Sequence, residues 1–566
     1  MSKFTIPHER AERFRQEGYW GDVTIPGLFR QNLERNPDAI GLVDAPNRPT
    51  FFEGAPRRLT YRQMDSEIAL YANTLRAAGL GKGDIIATQL PNIAEMILIY
   101  LAISRIGAIL SPISMSYRAN ELRGMQDIVD FAAFIAVTKF KDRAFLAPLM
   151  PALRPETKVF SLGSNCPAGA TPFEWVVEQA GASEIETSAD DLFAVFWTSG
   201  TEGLPKAVPK THNNMMASSQ GAYRLLSLRE GANVLAPFPF VNAAGMGGLM
   251  MCWMRSGGAL VLHHPFDIEV YLEQLRTCDV DYTMMAPTLL VYVKDKSEDP
   301  DLYDALNRLT AIGTGSAPPD PEIFDYFQQH FDIPIVNFFG SNEGAQLCSS
   351  KDDVPDARLR ARFFPRDGDI NWAGHADRRT ANGGYFKLID PETGAAVVDN
   401  GASGEMYIDG PAQMPGYFTR QGMDRTKFDA DGLFSTGDLF EISQDGRMIR
   451  FLSRSRELIV RGGMKIAPVE LDAFLSGFPN VREVAVAPYR DETMGEKVCA
   501  YFVMNKGVQV TLKEVSAYCD RHGLAKFKWP EMCIQCDSLP KTPLAKIDRK
   551  ALTADLAGRL GATETA

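Results

Sequence analysis

From Leu59 to about Val460, short apolar runs alternate with amphipathic stretches. Ile85 to Leu90 has the length and character of a buried strand, and Pro91-Asn92 punctuates it. A helical pattern follows from Ala94 to Ile106, and Gly107-Ala-Ile-Leu opens a second strand. This strand–helix–strand rhythm predicts parallel sheets covered by helices. The pattern shifts after about Arg450 to that of a compact α+β unit. Val484 and Val486 mark one strand there, and Val498 to Met504 another. Thr511-Leu-Lys-Glu514 resembles a capping box opening a helix that ends near His522-Gly523. The charged segment Ser453-Arg-Ser-Arg456-Glu is the expected junction, dividing the chain into 1–453 and 454–566. A small domain on a short connection can reorient against a large one.

The longest apolar stretch begins at Met96 and is stopped by Arg105, and the one at Met250–Met254 is stopped by Arg255. A membrane helix needs about 20 apolar residues, so both read as buried helices. The first twenty residues hold no apolar core of a secretory signal. With 45% hydrophobic and 23% charged residues, the 566-residue chain has the composition of a globular protein with a large core. The expectation is a soluble, cytoplasmic protein. Its net charge of −12 lacks the general attraction a nucleic-acid binder needs, but leaves room for a local basic pocket. Eight cysteines spread this thinly read as reduced thiols rather than a disulfide framework. Cys533 and Cys536 form a lone CxxC, read as two residues of one short strand; no second pair or His spacing points to a bound metal.

The most informative segment is Phe196-Trp-Thr-Ser-Gly-Thr-Glu-Gly-Leu-Pro-Lys206. Glycines let backbone N–H groups approach an anion, hydroxyls add donors and the lysine adds charge, a composition suited to gripping phosphate. It is not a Walker A loop, because Pro205 precedes Lys206 and Ala207 follows it. Three later segments add to it. Gly313-Thr-Gly-Ser-Ala-Pro318 is a small-residue loop open to a flat ring. Asn337-Phe-Phe-Gly-Ser-Asn-Glu343 offers two aromatics and a carboxylate. Phe434-Ser-Thr-Gly-Asp438 offers an acid on a tight turn, suited to a ribose diol. Each alone also reads as core or turn; their joint appearance in this order points to a nucleotide site.

With these segments in place, the chain resembles the adenylate-forming superfamily of acyl- and aryl-CoA synthetases, peptide-synthetase adenylation domains and luciferases. The resemblance runs from about Leu59 to Leu552 and rests on TSGTEGLPK at Thr198–Lys206, STGDL at Ser435–Leu439 and LPKTPLAKIDR at Leu539–Arg549. RGGMKIAPVE at Arg461–Glu470 looks most like the ligases of ring acids such as benzoate, dihydroxybenzoate and cyclohexanecarboxylate. The resemblance implies an α/β fold: a large N-terminal domain of two doubly wound sheets plus a distorted β-barrel, and a small mobile α+β C-terminal domain. It implies ATP, Mg²⁺ and CoA as reactants and cofactor, and a chemistry in two halves. A carboxylate attacks the α-phosphorus of MgATP, and a thiol then displaces AMP from the acyl-adenylate.

By the same resemblance, Thr198, Ser199, Gly200, Thr201, Glu202, Gly203 and Lys206 would hold the β- and γ-phosphates. Glu343 would ligate Mg²⁺, a hard ion suited to carboxylate oxygen. Gly315, Ser316, Ala317 and Phe339 would flank adenine; Asn337 and Gly340 would belong to the same ATP site, and Asn342, in the place of a threonine that bonds the α-phosphate, could still donate from its amide. Asp438 and Arg454 would hold the ribose. Lys546 would bridge the substrate carboxylate and the α-phosphate, where a point cation offsets the repulsion of two anions; Lys541 is the weaker alternative. Arg456 would be the hinge, and Arg461, Gly462 and Gly463 would line the thiol's path once the small domain turns.

Several positions depart from the family pattern. Glu202 and Ala207 stand where Thr and Gly are frequent, Asn342 replaces a threonine, and Ser453 and Ala545 replace glycines. Asn242, or Phe240 in the other alignment, stands where many relatives carry a histidine; an amide there either orients a ring carboxylate or caps a turn. The expected acid pocket comprises Asn242, Gly245, Met246, Gly313, Thr314 and Phe338, with no fixed charge. Burying a second substrate charge there would be costly, so the expected acid is apolar and monocarboxylic: aromatic, alicyclic or medium-chain. The leading expectation is an acid–CoA ligase, since no carrier segment follows Leu552. A stand-alone enzyme loading a carrier protein and a catalytically silent nucleotide-binding regulator are the alternatives. A homodimer stays open.

Overall fold

The computed structural model describes residues 6–174, 185–198, 205–315, 319–372, 379–462, 464–491, 493–542 and 546–563. The helix predicted from Ala94 runs over Ala94–Arg105, between strands Ile85–Gln89 and Ile109–Pro112, which pair in parallel. Every residue from Ala94 to Ser104 is buried. That all-round burial is why the stretch reads as membrane-like in sequence, yet among the described residues no helix is long and apolar enough to cross a membrane. Asp44 fixes its start, since Asp44 Oδ1 accepts the Ala94 N–H at 2.7 Å. Arg48 then ties Asp44 to Glu95 inside the fold, a buried group of three charges that satisfy one another.

Two large sheets carry the bulk of the molecule. One has nine strands, with a parallel centre (Leu192–Thr198, Ile109–Pro112, Ile85–Gln89, Ala133–Val137, Lys158–Leu162) and an antiparallel edge through Lys206–Thr211 and Tyr417–Thr419. The other has eight strands, and its parallel run Leu260–Leu262, Val234–Ala236, Tyr282–Met284, Ala311–Gly315, Ile335–Gly340 ends on antiparallel Gln346–Ser349. The buried helix Ala94–Arg105 belongs to the core cluster shared by residues of both sheets. The third sheet of the large domain is antiparallel and five-stranded, running from edge strand Phe364–Pro365 through Met448–Arg454, Phe434–Ile442 and Ser403–Asp409 to edge strand Tyr385–Ile389.

Arg454 ends that sheet, the turn Ser455–Glu457 follows, and Ile459–Arg461 begins the last sheet. Its long hairpin Val481–Asp491 with Gly495–Met504 contains both predicted strands. Helix Leu512–Arg521 starts with the predicted capping box, Thr511 and Glu514 exchanging side-chain and backbone bonds. Cys533 lies in strand Met532–Gln535 and Cys536 one residue beyond it, where its thiol meets the Phe502 carbonyl. All eight cysteines are free, and among the described residues no group of His, Cys, Asp or Glu could by itself hold a metal ion.

Candidate active site

The phosphate-gripping segment is a hairpin. Strand Leu192–Thr198 turns back as Lys206–Thr211, with Thr198 directly opposite Lys206. Ser199, Gly200, Thr201, Glu202 and Gly203 lie outside the described residues. The Lys206 ammonium sits 4.8 Å from the centre of the Tyr417 ring, and the Tyr417 hydroxyl donates to Glu343 Oε1 at 2.8 Å. Burial and the Glu343 charge together push the Tyr417 phenol far above its ordinary range. Side-chain alternation along Lys206–Thr211 puts Lys210 on the face of Lys206. Fully buried, Lys210 donates to the Ala412 carbonyl at 2.6 Å, and desolvation brings it down to about 7 although Glu343 favours its charge.

Glu343 follows strand Ile335–Gly340 in a tight turn, where Gly344 N–H donates to Ser341 O and Ser341 N–H to Ala345 O. Gly344 has φ +121, and a Cβ there would lie 2.5 Å from both Ala412 O and Gln413 Cα. Only glycine allows this approach. The Ser341 hydroxyl in the same turn is buried without a partner among the described residues. Asn342 is spent on structure: its Oδ1 accepts the Ala243 N–H at 2.8 Å and its Nδ2 donates to Trp197 O at 3.2 Å. It therefore ties the end of the phosphate-loop strand to the segment after Asn242.

Adjacent Phe338 and Phe339 point to opposite faces of their strand. Phe339 packs on Phe440 and Phe451, with ring centres 5.0 and 5.6 Å away. Asn337 donates to the Arg360 and Ala361 carbonyls, anchoring helix Ala357–Arg360, while Gly340 at the strand end is exposed. Gly315 pairs with Phe338, and a Cβ there would meet the Phe338 carbonyl at 2.5 Å. Ser316 and Ala317 lie outside the described residues.

The residues expected to line the acid pocket divide. A Cβ on Gly313 would stand 2.8 Å from the Tyr282 hydroxyl and 3.0 Å from both Met284 Cγ and Phe338 Cε2, so Gly313 and Phe338 do share one wall. Tyr282 is fully buried and its hydroxyl has no partner among the described residues. Thr314 turns the other way, its hydroxyl on the Met285 carbonyl. Gly245 opens no space there, because a Cβ would fall 2.2 Å from Pro239 O. Met246 is fully buried in the main core. Asn242 caps a turn: its Oδ1 accepts the Gly245 N–H at 3.0 Å. Of its two readings, capping is the one the geometry realises.

Asp438 and Arg454 face each other across two strands, Arg454 Nε standing 3.5 Å from Asp438 Oδ1. Burial, against the pull of Arg454 and Lys546 and with the push of Glu343, raises the Asp438 carboxyl to about 6. Lys546 reaches the same cluster from the C-terminal segment. Thr542 N–H donates to Lys546 O at 2.6 Å; residues 543–545, Ala545 among them, lie outside the described part. Lys546 remains exposed as a residue, but its ammonium end lies deep enough among other groups to lose affinity for its proton. Desolvation is the largest cause, followed by Arg454; Asp438, Glu343 and Glu457 oppose them. Lys541 is paired elsewhere, with Glu483 at 2.9 Å.

Arg456 falls in the turn Ser455–Glu457. Arg461 is paired with Glu531, and Gly462, at φ +55, donates its N–H to Met494 O at 2.7 Å. Gly463 lies outside the described residues. Sequence reasoning misses Tyr417, Lys210 and Ser341. The spacing of Lys206 and Lys210 along one strand carries a signal for the second lysine; Tyr417 is brought in only by tertiary packing. A lone carboxylate such as Glu343 suits Mg²⁺, which takes most of its remaining ligands from water and nucleotide phosphate.

A family model described as AMP-binding enzyme matches residues 29–418, and one described as AMP-binding enzyme C-terminal domain matches residues 470–546. The medium-chain fatty-acid–CoA ligase of Escherichia coli (strain K12) is 29% identical over 567 residues, covering 98% of this chain and 94% of its own. 4-Coumarate–CoA ligase 2 of Nicotiana tabacum is 28% identical over 533 residues, covering 91% and 92%. Among solved structures, ATP-bound MatB from Rhodopseudomonas palustris shares the fold with a TM-score of 0.77 at 22% identity, over 94% of this chain and 99% of that one.

Proposed function

The chain belongs to the AMP-binding enzyme family, and from that premise we propose that it is an ATP-dependent acid–CoA ligase. It would convert an apolar monocarboxylic acid, aromatic, alicyclic or medium-chain, through an acyl-adenylate to an acyl-CoA. The observation that carries this reading is the arrival of Lys546, from the C-terminal segment, in the electrostatic field of Glu343, Asp438 and Arg454. Relatives named for medium-chain fatty acids and for 4-coumarate support both a chain and a ring as the acyl group.

Thr198 and Lys206 close the phosphate hairpin, and Lys206 is held over Tyr417 rather than free in solvent. Glu343 would hold Mg²⁺, which when bound neutralises charge on the phosphates. Asp438 accepts hydrogen bonds from the ribose diol. The Lys546 ammonium lies between the acid's carboxylate and the α-phosphate and offsets their repulsion, preorganised charge being worth most in an enclosed site. Gly313 and Phe338 face the acyl group. For the second half, residues 454–566 turn about Arg456, Lys546 withdraws, and Arg461, Gly462 and Gly463 line the thiol's route.

The test is pyrophosphate exchange with benzoate, cyclohexanecarboxylate and octanoate, followed by addition of CoA. The expected result is acid-dependent exchange, then AMP and a thioester. Acylation of a holo-carrier protein without any CoA thioester would move the protein to the carrier-loading class. Absence of exchange across a broad acid panel would leave only the regulator.

A further inference from the structure

The five-residue strip Gly410–Met414 forms no strand, yet the carbonyls of its first four residues are satisfied by side chains. Gly410 O accepts from Arg10 Nη2 at 2.9 Å, and Gln413 O from the same nitrogen at 3.3 Å. Pro411 O accepts from Trp20 Nε1 at 3.0 Å and from Asn214 Nδ2 at 2.8 Å. Ala412 O accepts from Lys210. At the start of the strip, Arg10 and Arg13 both grip Asp409, at 2.5 and 2.6 Å, and Asp409 is held below the usual carboxylate range despite its burial. Phe14 and Trp20 pack against Ala412 and Ala217 in a small core of their own.

The far side of this strip is the Glu343 turn. Met414 N–H donates to Glu343 O at 2.8 Å, and Gly344 rests on Ala412 and Gln413 too closely for any side chain. The position of the strip therefore sets the position of the Glu343 backbone. Arg10 and Trp20 also precede residue 29, where the family match begins. We propose that residues 6–20 are a positioning clamp for the metal–nucleotide site, with Arg10 and Trp20 holding Gly410–Met414 and thereby Glu343. The clamp rests on the reading of Glu343 as the magnesium ligand. Arg10 and Trp20 are positioning residues; neither is placed against a reactant.

The experiment is calorimetric binding of α,β-methylene-ATP to the full chain, with and without Mg²⁺, alongside thermal unfolding. Arg10→Ala should weaken binding with Mg²⁺ about tenfold, as expected for loss of a charge-assisted anchor, and leave metal-free binding within about twofold. Trp20→Phe keeps a smaller aromatic ring and removes the donor, and should give a smaller loss of the same kind, roughly threefold. In a Glu343→Gln background, Arg10→Ala should add less than about twofold, because both changes act through one carboxylate. Arg10→Lys should recover part of the loss. A lower melting temperature with unchanged magnesium-dependent binding overturns the clamp, and so do losses that are equal with and without metal or that add to Glu343→Gln. If Mg²⁺ does not strengthen wild-type binding, or Glu343→Gln matches wild type, the reading of Glu343 falls and the clamp falls with it. If Arg10→Ala does not fold, Trp20→Phe and Arg10→Lys decide the matter alone.

Discussion

At the scale of single residues, what matters is whether each polar group has a partner. The Tyr282 hydroxyl has none among the described residues and is enclosed beside Gly313 and Met284. An unsatisfied buried hydroxyl costs about 1–3 kcal/mol, so Tyr282→Phe should stabilise the protein by about 1 kcal/mol, seen as a higher melting temperature. Asp438 has partners but pays for its burial in pKa. Its folded value of about 6 lies above the unfolded 3.8, so the folded state binds the extra proton and stability declines as pH rises between those two values. The protonated acid is also a poorer acceptor for a ribose diol. ATP affinity should therefore fall as pH drops through about 6, and Asp438→Asn should flatten that profile. Titration calorimetry at several pH values checks both.

The same scale shows what a sequence can and cannot disclose. Thr198, Lys206, Asp438 and Lys546 are legible because each sits in a contiguous motif whose composition already suits an anion or a diol. Asn242 and Asn342 are legible as departures but not as to role, because an amide bonds equally well to a ligand or to a neighbouring backbone. Gly245 illustrates the same limit: its missing side chain makes way for Pro239 O, not for an acyl group. Tyr417 and Arg10 belong to no local pattern; they meet Glu343 or its supporting strip only after distant segments pack.

At the scale of elements, periodicity is a dependable guide where a helix or strand is long and one-sided. Strand Ile85–Gln89, helix Ala94–Arg105 and the capping box at Thr511 appear within a residue or so of expectation. The five-stranded sheet of residues 364–454 is hardest to read, because its strands are short and its bulges break the alternation, as between Leu439 and Phe440. Burial identifies the element that tolerates least change. Leu98 in helix Ala94–Arg105 is fully buried, so Leu98→Ala should cost about 3 kcal/mol through lost transfer energy and a residual cavity. A lower midpoint of urea unfolding measures it.

At the scale of the whole molecule, the decisive relation is between Lys546 and the cluster on the other side of the Ser455–Glu457 turn. Lys546→Ala should depress acyl-adenylate formation by about 100-fold or more, the order expected when a preorganised charge is lost. It should leave thioester formation from supplied acyl-adenylate intact. Pyrophosphate release and CoA transfer, assayed separately, measure the two halves. Equal loss in both would remove Lys546 from the proposed step.

The all-round burial of helix Ala94–Arg105 also bears on synthesis. The core cluster it belongs to includes strands that end at Leu262, roughly 150 residues later in the chain. At about 5–20 residues per second, translation leaves this helix waiting for roughly ten to thirty seconds before those strands emerge. A nascent chain in that interval presents a strongly adhesive segment, so yield in a heterologous host should depend on chaperone capacity more than on the folded enzyme's own robustness.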